Sequence, residues 1–472
     1  MLTLAHIVEA LTGYQMAGGE QVITDVVIDS RLSIPGALFV ALPGERSDGH
    51  NYLSDAFRKG AAAALIEREA AGDIYTIDLR EPITPTTARD MRIPVCLRVE
   101  NSLAALQKAA AHWRARLAPR VVGITGSVGK TTTKELVAAV LQTKYRTLKN
   151  EGNLNNEIGL PMTVLRLTEA HERAVLEMGF YVPGEIALLC EIARPHIGVV
   201  TNVLPVHVER AGSLEAVARG KAELVEALPP APEGVAVLNH DDPLVMGMAA
   251  RTRARVFTYG LDPAADLWAN NIVGLGLEGI RFQLHYGRET LHLRVPHLGR
   301  HSVHTSLRAA AVGLIEGLTW QEIVEGLSSG VQLRLYAVSG PGGSILLDDT
   351  YNASPESVIA ALNLLAELDG RKIAVLGDML ELGEHEAEAH AQVGRYAREI
   401  ADALVTVGKL GGLIAAEALA AGMKRGDVTV LPDIASATEF LRGFVRHGDV
   451  VLIKGSRGLR MDRIVSALEA GP

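Results

Sequence analysis

Gly126-Ser127-Val128-Gly129-Lys130-Thr131-Thr132 follows a short apolar run, VVGIT, and leads into a segment with helical periodicity. The backbone N–H groups of a glycine-rich turn can wrap phosphate oxygens, an ammonium can neutralise their charge, and a threonine hydroxyl can reach Mg²⁺. These seven residues therefore read as a phosphate-binding loop. The longer spacing GxxxxGK would need glycine at 124, where the chain has Ile124, so this is a shorter GxxGK[ST] form. What the bound phosphate drives has to come from the residues around it.

Several other stretches carry polar groups where chemistry could use them. In KNEGNLNNEIGLP, from Lys149 to Pro161, Asn153, Asn155 and Asn156 crowd a short polar loop. Their amides could bind a polar substrate or simply serve the turn. Glu177 ends one predicted strand and His207 follows another, at the carboxyl ends where parallel sheets gather ligands, and both could hold Mg²⁺. Lys221 has Glu223 two positions on, which is not a same-face neighbour, so a helical ion pair does not explain it; a solvated helix lysine is the ordinary reading. Farther on, DDTYNASPES with Asp348, Asp349 and Asn352, GDMLELGE, and KGSR with Lys454, Ser456 and Arg457 close three predicted strands. They read either as helix capping or as a ligand-facing rim.

The elements that must position these residues fall into three regions, 1–100, 101–330 and 331–472. The first alternates short apolar runs with a stretch expected to be helical, SDAFRKGAAAALI, as in a small α/β module, and the helix SLAALQKAAAHWRARL leads out of it. The second repeats strand and helix in the rhythm of a mostly parallel sheet, with PPAPEG as a loop. The third continues with SILLDDT, KIAVLGD, ADALVTVG, DVTVLPD and DVVLIKG, each followed by a helix-like segment. It has no GxGxxG turn, so no dinucleotide is indicated. The fold class is α/β in three domains.

Composition bounds the function. Of 472 residues 48% are hydrophobic, enough for several cores. The net charge of −9 with well-mixed signs argues against a nucleic-acid surface. Cys96 and Cys190 have no metal-ligand spacing, and a reducing cytoplasm fits them best. No apolar run is long enough for stable membrane insertion, and nothing at the N-terminus reads as an export signal.

Taken in order, DSRLSIPGALFVALPGERSDGHNYL, TGSVGKTTTKE, GNLNNEIGLPMT, LEMGFYVPGEI, NVLPVHVERAGSLEAVARGKAELV, DDTYNASPES, GDMLELGE and VVLIKGSR resemble the Mur ligase family over nearly the whole chain. The resemblance is to its branch that adds a dipeptide. It implies a uridine-nucleotide-binding first domain, a central ATPase domain and a Rossmann-like third domain. The activity implied is joining D-Ala-D-Ala to UDP-MurNAc-tripeptide with ATP and Mg²⁺, in peptidoglycan precursor synthesis, by a cytoplasmic monomer. By the same resemblance Ser30, Arg31, Asp48, Gly49 and His50 face the uridine nucleotide, and Asn155 and Asn156 lie near the reacting substrate. Lys130 and Thr131 hold ATP phosphates and metal; Glu177, His207 and a carbamylated Lys221 hold metal. Arg334, Asp349 and Asn352 complete the ATP site, while Lys454, Ser456 and Arg457 approach the incoming substrate.

The chain also departs from the family. Where the pattern GxHNVxNALAA is usual, it has Gly299-Arg-His301-Ser302-Val-His304-Thr305-Ser-Leu, so two expected asparagines become Ser302 and Thr305. Gly179 to Gly184 lacks the polar residues usual after LExG. Three alternatives stay open: a ligase adding the third amino acid, a folylpolyglutamate synthetase, and a catalytically silent nucleotide-binding paralogue. Against the first stand the absence of a DNPR-type motif and the GNLNN and DDTYNASPES runs; against the second stands the DSR segment.

Overall fold

The computed structural model describes the chain except residues 17–19, 45–46, 71–73, 206–210, 330–334 and 470–472 and the side chain of Arg89. Its architecture is α/β in three domains, each built on a separate sheet.

The first sheet joins β1 (Val26–Val27), β2 (Leu38–Val40), β3 (Ala63–Ile66), β4 (Thr76–Asp78) and β5 (Val95–Arg98), all parallel, in the order β1-β2-β3-β5-β4. The expected helix over SDAFRKGAAAALI is half right. Leu53–Arg58 is helical, but Gly60, at φ 97°, ends it and Ala63–Ile66 is a fully buried strand between β2 and β5. Alanine's helix propensity loses there to burial on both faces of a parallel sheet.

The central sheet contains β6 (Arg120–Thr125), β7 (Thr147–Lys149), β8 (Arg173–Glu177), β9 (Ile197–Val200), β10 (Val235–Asn239), β11 (Arg255–Gly260), β12 (Leu267–Gly274), β13 (Ile280–Tyr286) and β14 (Glu289–Val295). Its order is β14-β13-β12-β11-β10-β9-β6-β8-β7. Pairing is parallel from β7 to β12, and β12–β14 form an antiparallel arm. Alternate residues of β6 face opposite cores. Val121 joins the cluster with helices Ser102–Ala115, Gly159–Leu165, Glu185–Ala193 and Leu214–Glu226, and Val122 and Ile124 join the one with helices Lys130–Gln142 and Ser302–Ile315. Strand β6 lies between β8 and β9, so the chain order reverses beside it, and that crevice is where open α/β sheets bind ligands.

The third sheet runs β15 (Tyr336–Ser339), β16 (Ile345–Asp349), β20 (Asp449–Lys454), β17 (Arg371–Gly377), β18 (Ala403–Val407) and β19 (Val428–Leu431), parallel except for β15. The five strands expected there are present, each followed by a helix.

Helix Ser102–Ala115 ties the first domain to the second. Leu106, Ala109, Ala110 and Trp113 belong to one buried cluster with residues of both, and the Trp113 indole donates to Leu167 O at 2.9 Å. Arg166 also reaches Asp25 at 2.9 Å across that junction. The helix Leu214–Glu226 packs Leu224 fully buried beneath β6 and β9, close to Gly123 and Gly198. Leu224→Ala should cost about 2–5 kcal/mol of the central domain's stability. Urea unfolding followed by intrinsic fluorescence checks this, with a lowered midpoint expected.

Candidate active site

The loop between β6 and helix Lys130–Gln142 is shaped by its glycines and fastened from below. Gly126 and Gly129 have φ of 143° and 84°, which side-chain-bearing residues rarely adopt, and a Cβ on Gly126 would stand 1.8 Å from Thr201 Oγ1. The residues after β9 hold the loop. Thr201 Oγ1 donates to Val128 O at 2.7 Å, Val128 N donates to Asn202 Oδ1 at 2.9 Å, and Ser127 N donates to Asn202 O at 3.0 Å. Ser127 Oγ donates to Leu204 O at 3.1 Å. The helix begins at Gly129 with no side-chain cap, so its first N–H groups face the crevice as an anion site. Lys130 Nζ lies over the loop, donating to Gly126 O at 2.8 Å and Ser127 O at 3.1 Å.

Glu177, at the end of β8 and level with Ile124, is 1% exposed. Its carboxylate accepts from Thr131 Oγ1 at 2.7 Å and from Asn155 Nδ2 at 2.8 Å. Asn150 fixes the backbone on either side, accepting from Glu177 N and donating to Leu154 O. Asn156 is used differently: its Oδ1 accepts from Gly159 N at 2.9 Å at the start of the next helix, and it does not line the cleft.

Lys221 is 1% exposed, with Nζ 4.8 Å from the centre of the Phe180 ring. The solvated-lysine reading is therefore overturned. Burial, and secondarily the charge of Lys130, pushes its ammonium far below the usual lysine range. Glu223 is occupied elsewhere, accepting from Gly184 N and Ala187 N.

A cleft of about 640 Å³ brings this loop together with the third domain. Asp349 and Lys454 are register partners on β16 and β20 and pair at 2.7 Å, and Lys454 also donates to Asn352 O at 2.8 Å. Ser456 and Arg457 line the same wall, with Arg457 over the Tyr351 ring at 5.4 Å; Ser456 Oγ also accepts from Leu380 N. Of the expected residues, Ser127, Val128, Gly129, Lys130, Thr132, Asn155, Glu177, Asp349, Asn352, Lys454, Ser456 and Arg457 line one cavity. His207 and Arg334 lie outside the described residues.

The wall of the cleft on helix Ser302–Ile315 carries the two departures noted in the sequence together with Arg308, which sequence reasoning missed. Ser302 and Thr305 line it, but Ser302 Oγ donates to Leu298 O at 2.6 Å and Thr305 Oγ1 accepts from Arg308 at 2.9 Å. His304 pairs with Asp241 at 2.7 Å. Burial opposes the charge on Asp241, yet the His304 contact and the backbone N–H of Leu261 hold its carboxyl below the usual range. Burial lowers His301 to about 4, helped by the charges of Lys454, His304 and Arg308, so its ring is neutral at physiological pH. Asn202 follows the legible strand IGVVTNV, and a carboxamide at a strand end was the available signal.

In the first domain Ser30 Oγ donates to Asp55 at 2.8 Å, while Arg31 is exposed and forks onto Asp29. The His50 ring is fully used: Nδ1 meets Asp48 at 2.6 Å and Nε2 accepts from Glu67 N at 2.9 Å. Asp48 also pairs with Arg68, and a Cβ on Gly49 would stand 2.8 Å from Leu42 N. Asp48, Gly49 and His50 thus shape a turn, and the exposed Arg31 guanidinium is held by Asp29.

Three family models match the chain: the Mur ligase family catalytic domain over residues 22–114, the Mur ligase middle domain over 124–313, and the Mur ligase glutamate ligase domain over 333–457. A UDP-N-acetylmuramoyl-tripeptide--D-alanyl-D-alanine ligase of Bacillus subtilis is 35% identical over 459 residues, covering 96% of this chain and 94% of the relative. The crystal structure of MurF from Acinetobacter baumannii superposes with a TM-score of 0.82 at 29% identity, covering 98% of this chain and 97% of that one. MurF from Thermotoga maritima in complex with ADP does so with a TM-score of 0.77 at 27% identity, covering 97% of each.

Gly126→Ala should lower affinity for ADP on the order of tenfold or more, because the added methyl displaces Thr201 and with it the loop. Gly247→Ala, at φ −60° with nothing within 4 Å of the added carbon, should bind ADP like the parent. Competition with a fluorescent nucleotide measures both.

Proposed function

The chain belongs to the Mur ligase family, and from that premise we propose that it is the ATP-dependent ligase that joins D-Ala-D-Ala to the terminal carboxylate of UDP-MurNAc-tripeptide, in peptidoglycan precursor synthesis. The observation that carries the reading is the single cleft in which a phosphate-binding loop faces third-domain side chains, within a chain similar along nearly its whole length to ligases of that name. The silent-paralogue alternative is disfavoured by the loop, by Glu177 held to it through Thr131, and by the buried Lys221, all present.

In this reading the γ-phosphoryl group of ATP passes to a carboxylate oxygen of the tripeptide, giving an acyl phosphate and ADP. The free amine of D-Ala-D-Ala attacks the carbonyl carbon, and the tetrahedral adduct expels inorganic phosphate and loses a proton to leave the amide. Gly126 to Thr132 bind the phosphates, and Lys130 offsets the charge that develops on the transferred group. Asn155 orients the carboxylate-bearing substrate, with Asn156 holding the loop that carries it. Asp349, Asn352 and Arg334 meet the nucleotide from the third domain, while Lys454, Ser456 and Arg457 approach the incoming dipeptide. Closure of the two walls keeps water from the acyl phosphate. Ser30, Arg31 and the Asp48–His50 turn serve the uridine end.

The donor set fits Mg²⁺: Glu177 and Thr131 present oxygens at the loop, and Mg²⁺ prefers few protein ligands with substrate phosphates completing its shell. Held by Thr131, Glu177, His207 and Lys221, it would neutralise phosphate charge and orient the γ-phosphoryl group. Lys221 joins that set as a carbamate. Burial disfavours its ammonium; the neutral amine is the form that adds CO₂ with loss of a proton, and the product replaces a repelling ammonium with oxygen ligands.

The reading divides the chain at 1–100, 101–330 and 331–472, consistent with the sheets spanning 26–98, 120–295 and 336–454. The reading also takes the enzyme to be a monomer. Among the described residues no helix is long and apolar enough to cross a membrane; a cytoplasmic setting is part of the proposal.

Phosphate release should require tripeptide nucleotide, D-Ala-D-Ala, ATP and Mg²⁺ together, and equal release without the dipeptide would sink the reading. Lys130→Ala should cost about 3 kcal/mol or more in kcat/KM. Lys221→Ala should abolish turnover while circular dichroism stays unchanged, with partial return of activity in added short-chain carboxylates. An active preparation whose Lys221 carries no ¹³C carbamate signal after growth in labelled bicarbonate would exclude the modification.

A further inference from the structure

Arg308 lies on the wall of the cleft in the middle of helix Ser302–Ile315, only 4% exposed. Its contacts are neutral: Nη2 donates to Thr305 Oγ1 at 2.9 Å, Nη1 donates to the Tyr259 hydroxyl at 3.4 Å, and Cζ is 5.7 Å from the Tyr259 ring centre. Nε is buried and has no hydrogen-bond partner among the described residues. Asp241 is engaged by His304, and among the described residues no carboxylate pairs with the guanidinium. A guanidinium removed from water without a counter-charge is a costly group to keep, unless an anion arrives to meet it.

The place where an anion would arrive is adjacent. Nη2 is 3.4 Å from the position a Cβ on Gly129 would take, and Gly129 opens the phosphate-loop helix. The Thr305 hydroxyl accepts the hydrogen bond that fixes the fork.

We propose that Arg308 is an additional ligand of the nucleotide's phosphate chain, a cation facing the loop from the helix opposite, with Thr305 and Tyr259 holding its planar fork in position. This rests on the reading of the cleft as the ATP site. An arginine fork makes paired, charge-assisted hydrogen bonds to phosphate oxygens, which a lysine cannot match in geometry. Tyr259 also ties Arg308 to the loop, because its hydroxyl donates to Thr201 O at 3.1 Å and Thr201 holds Val128.

The test compares wild type, Arg308→Ala and the volume-filling Arg308→Met by competition against a fluorescent ADP analogue, using ATP, ADP, adenosine and GTP with Mg²⁺. The melting temperature without nucleotide is measured in parallel. Affinity for ATP and ADP should fall on the order of tenfold or more in both variants while adenosine is unaffected. Neither variant should melt lower than the parent, since an unpaired buried charge has been removed. Equal losses for adenosine and ADP would overturn the proposal in favour of a structural role. A change confined to the ATP-to-GTP ratio would overturn it in favour of base-edge reading, because an arginine fork also matches N7 and O6 of guanine. No loss in either variant would overturn it outright. If Arg308→Ala does not fold, Arg308→Met decides alone. Wild type that does not prefer ADP to adenosine would instead overturn the reading of the cleft, and the assignment of Arg308 with it.

Discussion

The clamp between the residues after β9 and the glycine-rich loop is the constraint on which the site depends. Thr201 and Asn202 take up the outward-facing polar groups of Ser127 and Val128, leaving the uncapped start of the helix to receive a ligand. That arrangement needs a residue without Cβ at 126, where Thr201 packs, and a parallel β6–β9 pair that puts Thr125 level with Val200. The same pairing, mirrored on the other side by β8, delivers Glu177 to Thr131. Backbone register thus sets the distances between groups far apart in sequence.

Charge is the second organising feature. Lys130, Arg308 and Lys454 line one cleft, Lys221 is buried close enough to feel the charge of Lys130, and two of the carboxylates in the lining, Glu177 and Asp349, are already engaged by Thr131 and Asn155 and by Lys454. Cations held close together in a partly dry site repel one another, and a polyphosphate with its metal relieves that repulsion. Burial chiefly, and the charge of Lys130 secondarily, lowers the proton affinity of Lys221. Stability without substrate is given up here for affinity toward a highly charged one.

The parts of this site legible in the sequence are those encoded by adjacent residues. Gly126 to Thr132 form a local device whose chemistry is complete in one turn, so the loop could be read directly, as could the five strands whose ends bear Asp349 and Lys454. Lys221 looked like an ordinary surface lysine, because its burial, with Phe180 packed over it, is set by tertiary structure. Arg308 was silent for the same reason: its meaning comes from Tyr259 and Gly129, neither near it in sequence. Ala63–Ile66 misled in the opposite sense, since an alanine-rich run favours helix until a sheet buries both of its faces. The antiparallel arm β12–β14 carries no motif and emerged only as tertiary structure.

The central claim, that ATP turns a carboxylate into an acyl phosphate before the amine arrives, is tested most directly by oxygen transfer. Tripeptide nucleotide labelled with ¹⁸O in its terminal carboxylate is turned over with ATP, Mg²⁺ and D-Ala-D-Ala, and the released phosphate is analysed by mass spectrometry. The account predicts one labelled oxygen in each phosphate, because the carboxylate oxygen that accepts the phosphoryl group leaves with it. Unlabelled phosphate accompanying full amide formation would contradict it.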